Sequence, residues 1–163
     1  MNLNIANRMH GYTHYPTAGL IIILIVCITA FSMPSTGNAE EKTLYQRLGG
    51  YDAISAVVNE FADRLVADKK LDRFFGAMST DSQDRFKQSN TMLVCAATGG
   101  PCNYLGLAMT TSHEGMGVTN GDFDIVAGHL AATLDKFKVP AAEKEELLGI
   151  IGSMRGQIVE QKN

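Results

Sequence analysis

The 163-residue sequence has no tryptophan, only three cysteines and four histidines, and no basic block. Lys and Arg total 14 against 17 Asp and Glu, a formal charge of -3. Nothing here tracks a phosphate backbone, so nucleic acid is excluded as an expected partner. Alternation of β-branched residues is scarce, which argues against a sandwich or barrel, and a hydrophobic share of 45% argues against a disordered chain. The length leaves room for one domain and an appendage.

Acid is missing altogether from the first 39 residues, in which Arg8 is the sole Lys or Arg. The apolar run AGLIIILIVCITAF, residues 18 to 31, is shorter than the roughly 20 residues of a membrane-crossing helix. Pro34 follows it, and Gly37 and Ala39 stand at the small-residue positions of a signal-peptidase site. Residues 1–39 are therefore expected to be an export signal peptide, with an uncleaved membrane anchor as the alternative, and residues 40–163 the functional domain. Cleavage implies a periplasmic protein; the anchor implies one tethered outside the cytoplasm, with the membrane involved through this segment alone. Val26 before Cys27, where a small residue is wanted, speaks against a lipoprotein signal.

Loss of that segment removes Arg8, His10, His14 and Cys27, leaving His113, His129, Cys95 and Cys102. Their spacing fits no zinc pattern. Cys95 and Cys102, seven apart across a GGP turn, can pair in an oxidising compartment, but a cysteine in an apolar helix also fills space as a free thiol. The free thiols are the favoured arrangement.

In the rest of the chain the apolar period is that of helices. TLYQRL, residues 43 to 48, reads as a helical turn stopped by Gly49 and Gly50. Asp52 is the expected cap of a longer helix, with Ile54, Val57, Val58, Phe61 and Leu65 on its inner face. Leu71, Phe74 and Phe75 form an aromatic corner. STDSQ caps the next helix, in which Phe86, Asn90, Leu93, Val94 and Ala97 share a face, and GGP ends it. A short helical piece is expected at Met109 to His113. Thr119 caps a helix with Phe123, Val126, Ala127, Leu130, Leu134 and Phe137 inside, and Pro140 opens a last one carrying Leu147, Ile151, Met154 and Ile158. The expected fold class is all-α.

Three polar residues stand out. His129 lies on the rim of an apolar face, where half-buried histidines sit without a special task. Asn90 interrupts an apolar stripe; an unpaired buried amide costs about 1 to 3 kcal/mol, so either backbone or a small ligand must satisfy it. His113 precedes Gly115 and Gly117, glycines that allow close backbone approach, and follows PCNYLGLAMTTS, whose Tyr104, Leu105, Leu107 and Met109 could wall a flat apolar ligand. Spacing alone leaves a metal-ligand role and a structural role for His113 equally open.

In order and spacing, LYQRLGGYDAI, RLVADKKLDRFF, ATGGPCNYLG, MTTSHEGMGVTNGDFDIVAGHLAATL and VPAAEKEELLGII resemble a truncated haemoglobin of group I, across residues 43 to 158. The resemblance implies a shortened globin, two helices crossed on two, around a b-type haem. It puts the proximal iron ligand on His113, the aromatic that packs on the porphyrin on Phe75, and distal positions on Phe86 and Asn90. Tyr104, Met109, Val118, Phe123 and Val126 fall, by looser match, among the pocket walls. The implied partners are a diatomic gas and, for an enzyme, an electron donor. One departure matters: many members carry a tyrosine after the phenylalanine of the second helix, where this chain has Ala62 after Phe61. With no distal histidine, a second axial ligand would have to come from Lys87 or Met92. Two functions follow from the resemblance: reversible binding of oxygen, nitric oxide or carbon monoxide for transport, storage or sensing, which is preferred, and nitric oxide dioxygenase-type detoxification. A helical module that has lost its haem is the bland alternative.

Overall fold

The computed structural model describes residues 41–160. The expected export segment, with His10, His14 and Cys27, lies outside the described residues. Within these, every element is helical, and no helix is long and apolar enough to cross a membrane.

Helix α1 (Leu44–Arg47) opens with a capping box: the Thr43 hydroxyl accepts from the Gln46 amide at 3.3 Å, and the Gln46 side chain accepts from the Thr43 amide at 3.0 Å. Gly49 and Gly50, at φ 95° and 81°, supply the left-handed turn that redirects the chain into α2 (Gly50–Ala67). Asp52 is thus not the cap that the sequence suggested. It sits in the first turn of α2, where a negative charge still meets the positive end of the helix dipole.

A 3₁₀ turn (Lys69–Leu71) and the short α3 (Asp72–Phe75) make the aromatic corner. Helix α4 (Thr80–Ala97) is capped by Ser79, whose hydroxyl accepts from the Ser82 amide. Helix α5 (Met109–His113) is the short piece expected there, and α6 (Asn120–Lys136) starts at a Thr119–Asp122 capping box. The final helix is broken: α7 (Ala141–Ser153) ends where Met154 donates to Ile151 three residues back, and α8 (Arg155–Ile158) follows as a separate turn. Phe137, expected inside, caps α6 and is 41% exposed.

Helix α2 packs on α4 and on α6, and α6 packs on α7, which gives two helix pairs, one on the other. Leu44, Phe61, Leu65, Leu71, Leu130, Leu134 and Leu147 interlock at the centre. Leu65, Leu71 and Leu134 are almost wholly excluded from water, worth at most about 1.5 to 3 kcal/mol each.

The free thiols favoured from the sequence are not what the structure contains: Cys95 and Cys102 form a disulfide, their Cα atoms 5.8 Å apart. Helix α4 ends at Thr98, and Gly99 takes φ 80° to reverse the chain. Gly100 then lies so close to the end of α4 that a Cβ there would come within 2.7 Å of Cys95 Sγ. The two glycines that stop the helix are what bring Cys102 back to it.

Candidate functional site

The two helix pairs enclose a cleft with about 1060 Å³ of space free of protein atoms, its open mouth included. Helix α2 lends Val58, Phe61 and Leu65 to its walls, and α4 lends Phe86, Asn90, Leu93 and Val94. Met109, His113, Met116 and Val118 come from α5 and the turn after it; Asp122, Phe123, Val126, Ala127 and Leu130 come from α6. Phe74 and Phe75 of the aromatic corner and Ile151, Met154 and Ile158 of the C-terminal helices complete it. Among the described residues, Asn90, His113 and Asp122 are the only walls whose side chains carry nitrogen or oxygen. Walls so poor in polar groups suit an apolar ligand held by few directed contacts.

Phe75 meets Phe86 edge to face with ring centroids 5.5 Å apart, and Phe74 lies 6.4 Å from Phe75 in a similar arrangement. These contacts join the corner to α4 and stiffen that part of the wall.

His113 is the last residue of α5. Its Nδ1 lies 2.8 Å from the carbonyl oxygen of Met109, one turn back, and 3.1 Å from the Ser112 hydroxyl. A carbonyl oxygen only accepts, so Nδ1 carries the hydrogen in this bond, and in the neutral ring Nε2 holds the lone pair. No partner engages Nε2 among the described residues. A ring on the wall of an apolar cleft, oriented through one N–H and with its other nitrogen left basic, is the arrangement of a metal-ligating imidazole.

The backbone beyond His113 is tightly held. Glu114 at φ -57°, ψ 127° and Gly115 at φ 78° form a type II turn, closed by the Met116 amide on the His113 carbonyl at 3.1 Å. The amides of Gly115 and Gly117 donate to the two carboxylate oxygens of Glu160 at 2.6 and 2.5 Å.

Asp122 is the acidic wall residue. Burial pushes its carboxyl up, but the Thr119 hydroxyl and amide and the neighbouring Arg73 guanidinium outweigh that and hold it below the usual carboxylate range. Asp122 is therefore an anion at neutral pH, its charge matched by Arg73. That guanidinium also lies 4.3 Å over the Phe74 ring.

Of the nine site residues picked out from the sequence, the cleft brings together eight: His113, Phe75, Phe86, Asn90, Met109, Val118, Phe123 and Val126. Tyr104 is the exception. Its hydroxyl donates to the Leu107 carbonyl at 3.2 Å, and its ring covers Gly106, where a Cβ would meet it at 2.3 Å. The loop between α4 and α5 folds on itself, so Leu105 is 93% and Leu107 62% exposed. That segment builds no wall before Met109.

Asn90 resolves in favour of backbone: its Nδ2 donates to the Phe86 carbonyl at 2.9 Å while the residue still borders the cleft. His129 is half-buried and pairs with Asp68 at 2.7 Å, away from the cleft. Lys87 is paired with Asp63 at 2.7 Å, and neither Lys87 nor Met92 lines the cleft. Unmarked in the sequence were Leu93 and Val94 as pocket walls, Met116, Asp122 and Glu160. The i, i+3, i+4 stripe of α4 contained the first two; nothing local signals a contact from residue 160 to residue 115.

Helices crossed in two pairs around an apolar cleft, with one histidine on its wall, fit a haem-binding protein of the globin class. The chain belongs to the bacterial-like globin family, matched over residues 43–160, and within it to the group I truncated haemoglobins. It is 38% identical over 121 residues to the group 1 truncated haemoglobin GlbN of Mycolicibacterium paratuberculosis, covering 74% of this chain and 87% of that protein. It is 36% identical over 114 residues to the group 1 truncated haemoglobin of Tetrahymena pyriformis, covering 70% and 92%. The crystal structure of the Tetrahymena pyriformis protein in its Fe(III) form superposes with a TM-score of 0.68 at 33% identity, over 74% of this chain and all of that one. The 2/2 haemoglobin of Synechococcus sp. PCC 7002, in the cyanomet state with covalently attached haem, gives 0.66 at 28% identity over 74% of this chain and all of the other. The cofactor of this protein is haem, and its ligand is a diatomic gas.

Proposed function

We propose that His113 is the proximal iron ligand, that the cleft holds a b-type haem, and that the protein reversibly binds oxygen, nitric oxide or carbon monoxide as a carrier, store or sensor outside the cytoplasm. The observation that carries this reading is the His113 imidazole on the wall of an apolar cleft, its Nδ1 hydrogen spent on the Met109 carbonyl and its Nε2 without a partner among the described residues. Bound haem would supply an iron atom that His113 would hold through this nitrogen and that would take up the gas.

The protein's part is to orient the imidazole, to exclude water and to set the polarity around the gas. Phe75, Phe86, Met109, Val118, Phe123 and Val126 supply apolar surface to the porphyrin. On the α2 and α4 walls Asn90 carries the only polar group, and one of its two amide hydrogens is already committed to Phe86. The buried Ala62, where many relatives have a tyrosine, adds no hydroxyl. A gas held with so little polar help is released readily, which favours reversible binding over a dioxygenase reaction that activates the bound gas and needs an electron donor.

Nitric oxide consumption by the oxygenated protein with a supplied reductant tests this reading. One equivalent consumed per haem supports it. Sustained turnover replaces it with nitric oxide dioxygenase activity. Export is tested separately, by the mass of the chain recovered outside the cytoplasm: loss of residues 1–39 fits a cleaved signal, the full mass an anchor, and recovery with the cytoplasmic fraction contradicts export.

A further inference from the structure

The His113 segment is clamped from a distant part of the chain. Glu160 takes both oxygens of its carboxylate to the amides of Gly115 and Gly117, at 2.6 and 2.5 Å, and its own amide donates to the Val118 carbonyl at 3.0 Å. Three hydrogen bonds from one residue span the segment from 115 to 118. Two of them end on a carboxylate, the stronger kind of acceptor. Gly115 and Gly117 stand at φ 78° and 65°, so both amides are presented by backbone that only glycine adopts without strain.

The residues around Glu160 are anchored in turn. Val159 is buried. Arg155 donates to Asn120 at 3.2 Å, pairs with Asp124, and lies 4.3 Å over the Phe123 ring, which fastens α8 to the start of α6. Glu160 thus reaches the turn from a fixed base.

That turn begins at His113. The Met116 amide closes it on the His113 carbonyl, and the His113 ring is bonded back to Met109, so backbone and imidazole of His113 are held from both sides. We infer that Glu160 is the positioning residue of the proximal histidine: its carboxylate locks the type II turn after His113 and thereby sets how the imidazole Nε2 meets the haem iron. The inference rests on His113 being the iron ligand. Glu160 is not among the cleft walls and acts through the backbone.

The test compares the full haem-loaded chain with Glu160→Gln, which keeps the shape but loses the charge and one acceptor, and Glu160→Ala. Glu143→Gln, which weakens a surface pair with Arg47 away from the cleft, is the control for general loosening. Resonance Raman of the ferrous, gas-free protein reads the iron–histidine stretch, and nuclear magnetic resonance reads the amides of Gly115 and Gly117. The expected result is a displaced or broadened iron–histidine band in both Glu160 variants and none in the control. Amide exchange at Gly115 and Gly117 rises about tenfold or more. Haem loss is faster by about tenfold, the low end for partners one shell away from a metal ligand. An unchanged band together with unchanged exchange overturns the inference while leaving haem ligation by His113 intact. A wild-type protein that binds haem without any iron–histidine band overturns the ligand assignment, and the inference with it.

Discussion

The side-chain amide of Asn90 donates to the carbonyl of Phe86, 2.9 Å away and one turn earlier on the same helix. A gas molecule competing for that hydrogen must break an intrahelical bond, which leaves only the second amide hydrogen for it, a single neutral bond with a net worth of about 1 kcal/mol. Asn90→Ala is therefore expected to change the oxygen release rate by about fivefold or less. Stopped-flow displacement of oxygen by carbon monoxide measures it; a tenfold acceleration would mean that Asn90 turns to the gas when it binds.

Ala62 tells the complementary story. It is 1% exposed, neighbours Phe61 on α2 and does not itself form part of the cleft wall. Ala62→Tyr brings in a hydroxyl worth about 1 to 3 kcal/mol to a polar gas ligand, so oxygen should leave more slowly by roughly fivefold or more. The added ring overpacks a filled site, and thermal stability should fall by about 1 to 3 kcal/mol. An unchanged release rate in a folded variant would contradict this picture of the distal pocket.

The disulfide gives a prediction independent of haem. Closing a loop as short as the one between Cys95 and Cys102 removes chain entropy from the unfolded state worth roughly 2 to 3 kcal/mol. Reductant should lower the melting temperature of the wild type and leave that of the Cys95→Ser, Cys102→Ser double variant unchanged. Equal sensitivity of the two would show that the bridge does not form in solution.

The Asp68–His129 pair gives a pH dependence. The His129 ring and then the Lys70 amide hold the Asp68 carboxyl below its usual range. Because the folded value lies below the unfolded one of about 3.9, the pairing adds stability at pH values above the unfolded value. That contribution drains away as pH falls from there through the folded value. Asp68→Asn, which can still cap the Lys70 amide, removes this carboxyl's share, so its melting temperature should fall less steeply than that of the wild type over about pH 5 to 3. Parallel curves would mean that the pair carries no pH-dependent stability.

The helices were legible in the sequence because each is written locally: Thr43, Ser79 and Thr119 carry the caps, Gly99 stops α4, and the 3.6-residue stripes of α2, α4 and α6 name their inner faces. Context also made His113 visible. What could not be read depends on where the chain returns. Tyr104 looked like a wall because its segment is apolar, but the loop folds onto Gly106 instead. Cys95 looked like filler in an apolar helix until the reversal at Gly99 and Gly100 brought Cys102 to it. The break at Met154 is a loss of one helical hydrogen-bond register that apolar spacing does not encode. Glu160 is the extreme case: a charged residue with no local signal whose contacts lie 43 and 45 positions away.

Ligation of haem iron by the free imidazole nitrogen of His113 is read from the absorption spectrum of the haem-loaded protein beside its His113→Ala variant, each reduced and exposed to oxygen and to carbon monoxide. If His113 holds the iron, the wild type shows a Soret band that shifts with each gas and is lost in the variant with its haem. A variant that retains haem with the same spectra, or a wild type that takes up none, would contradict it.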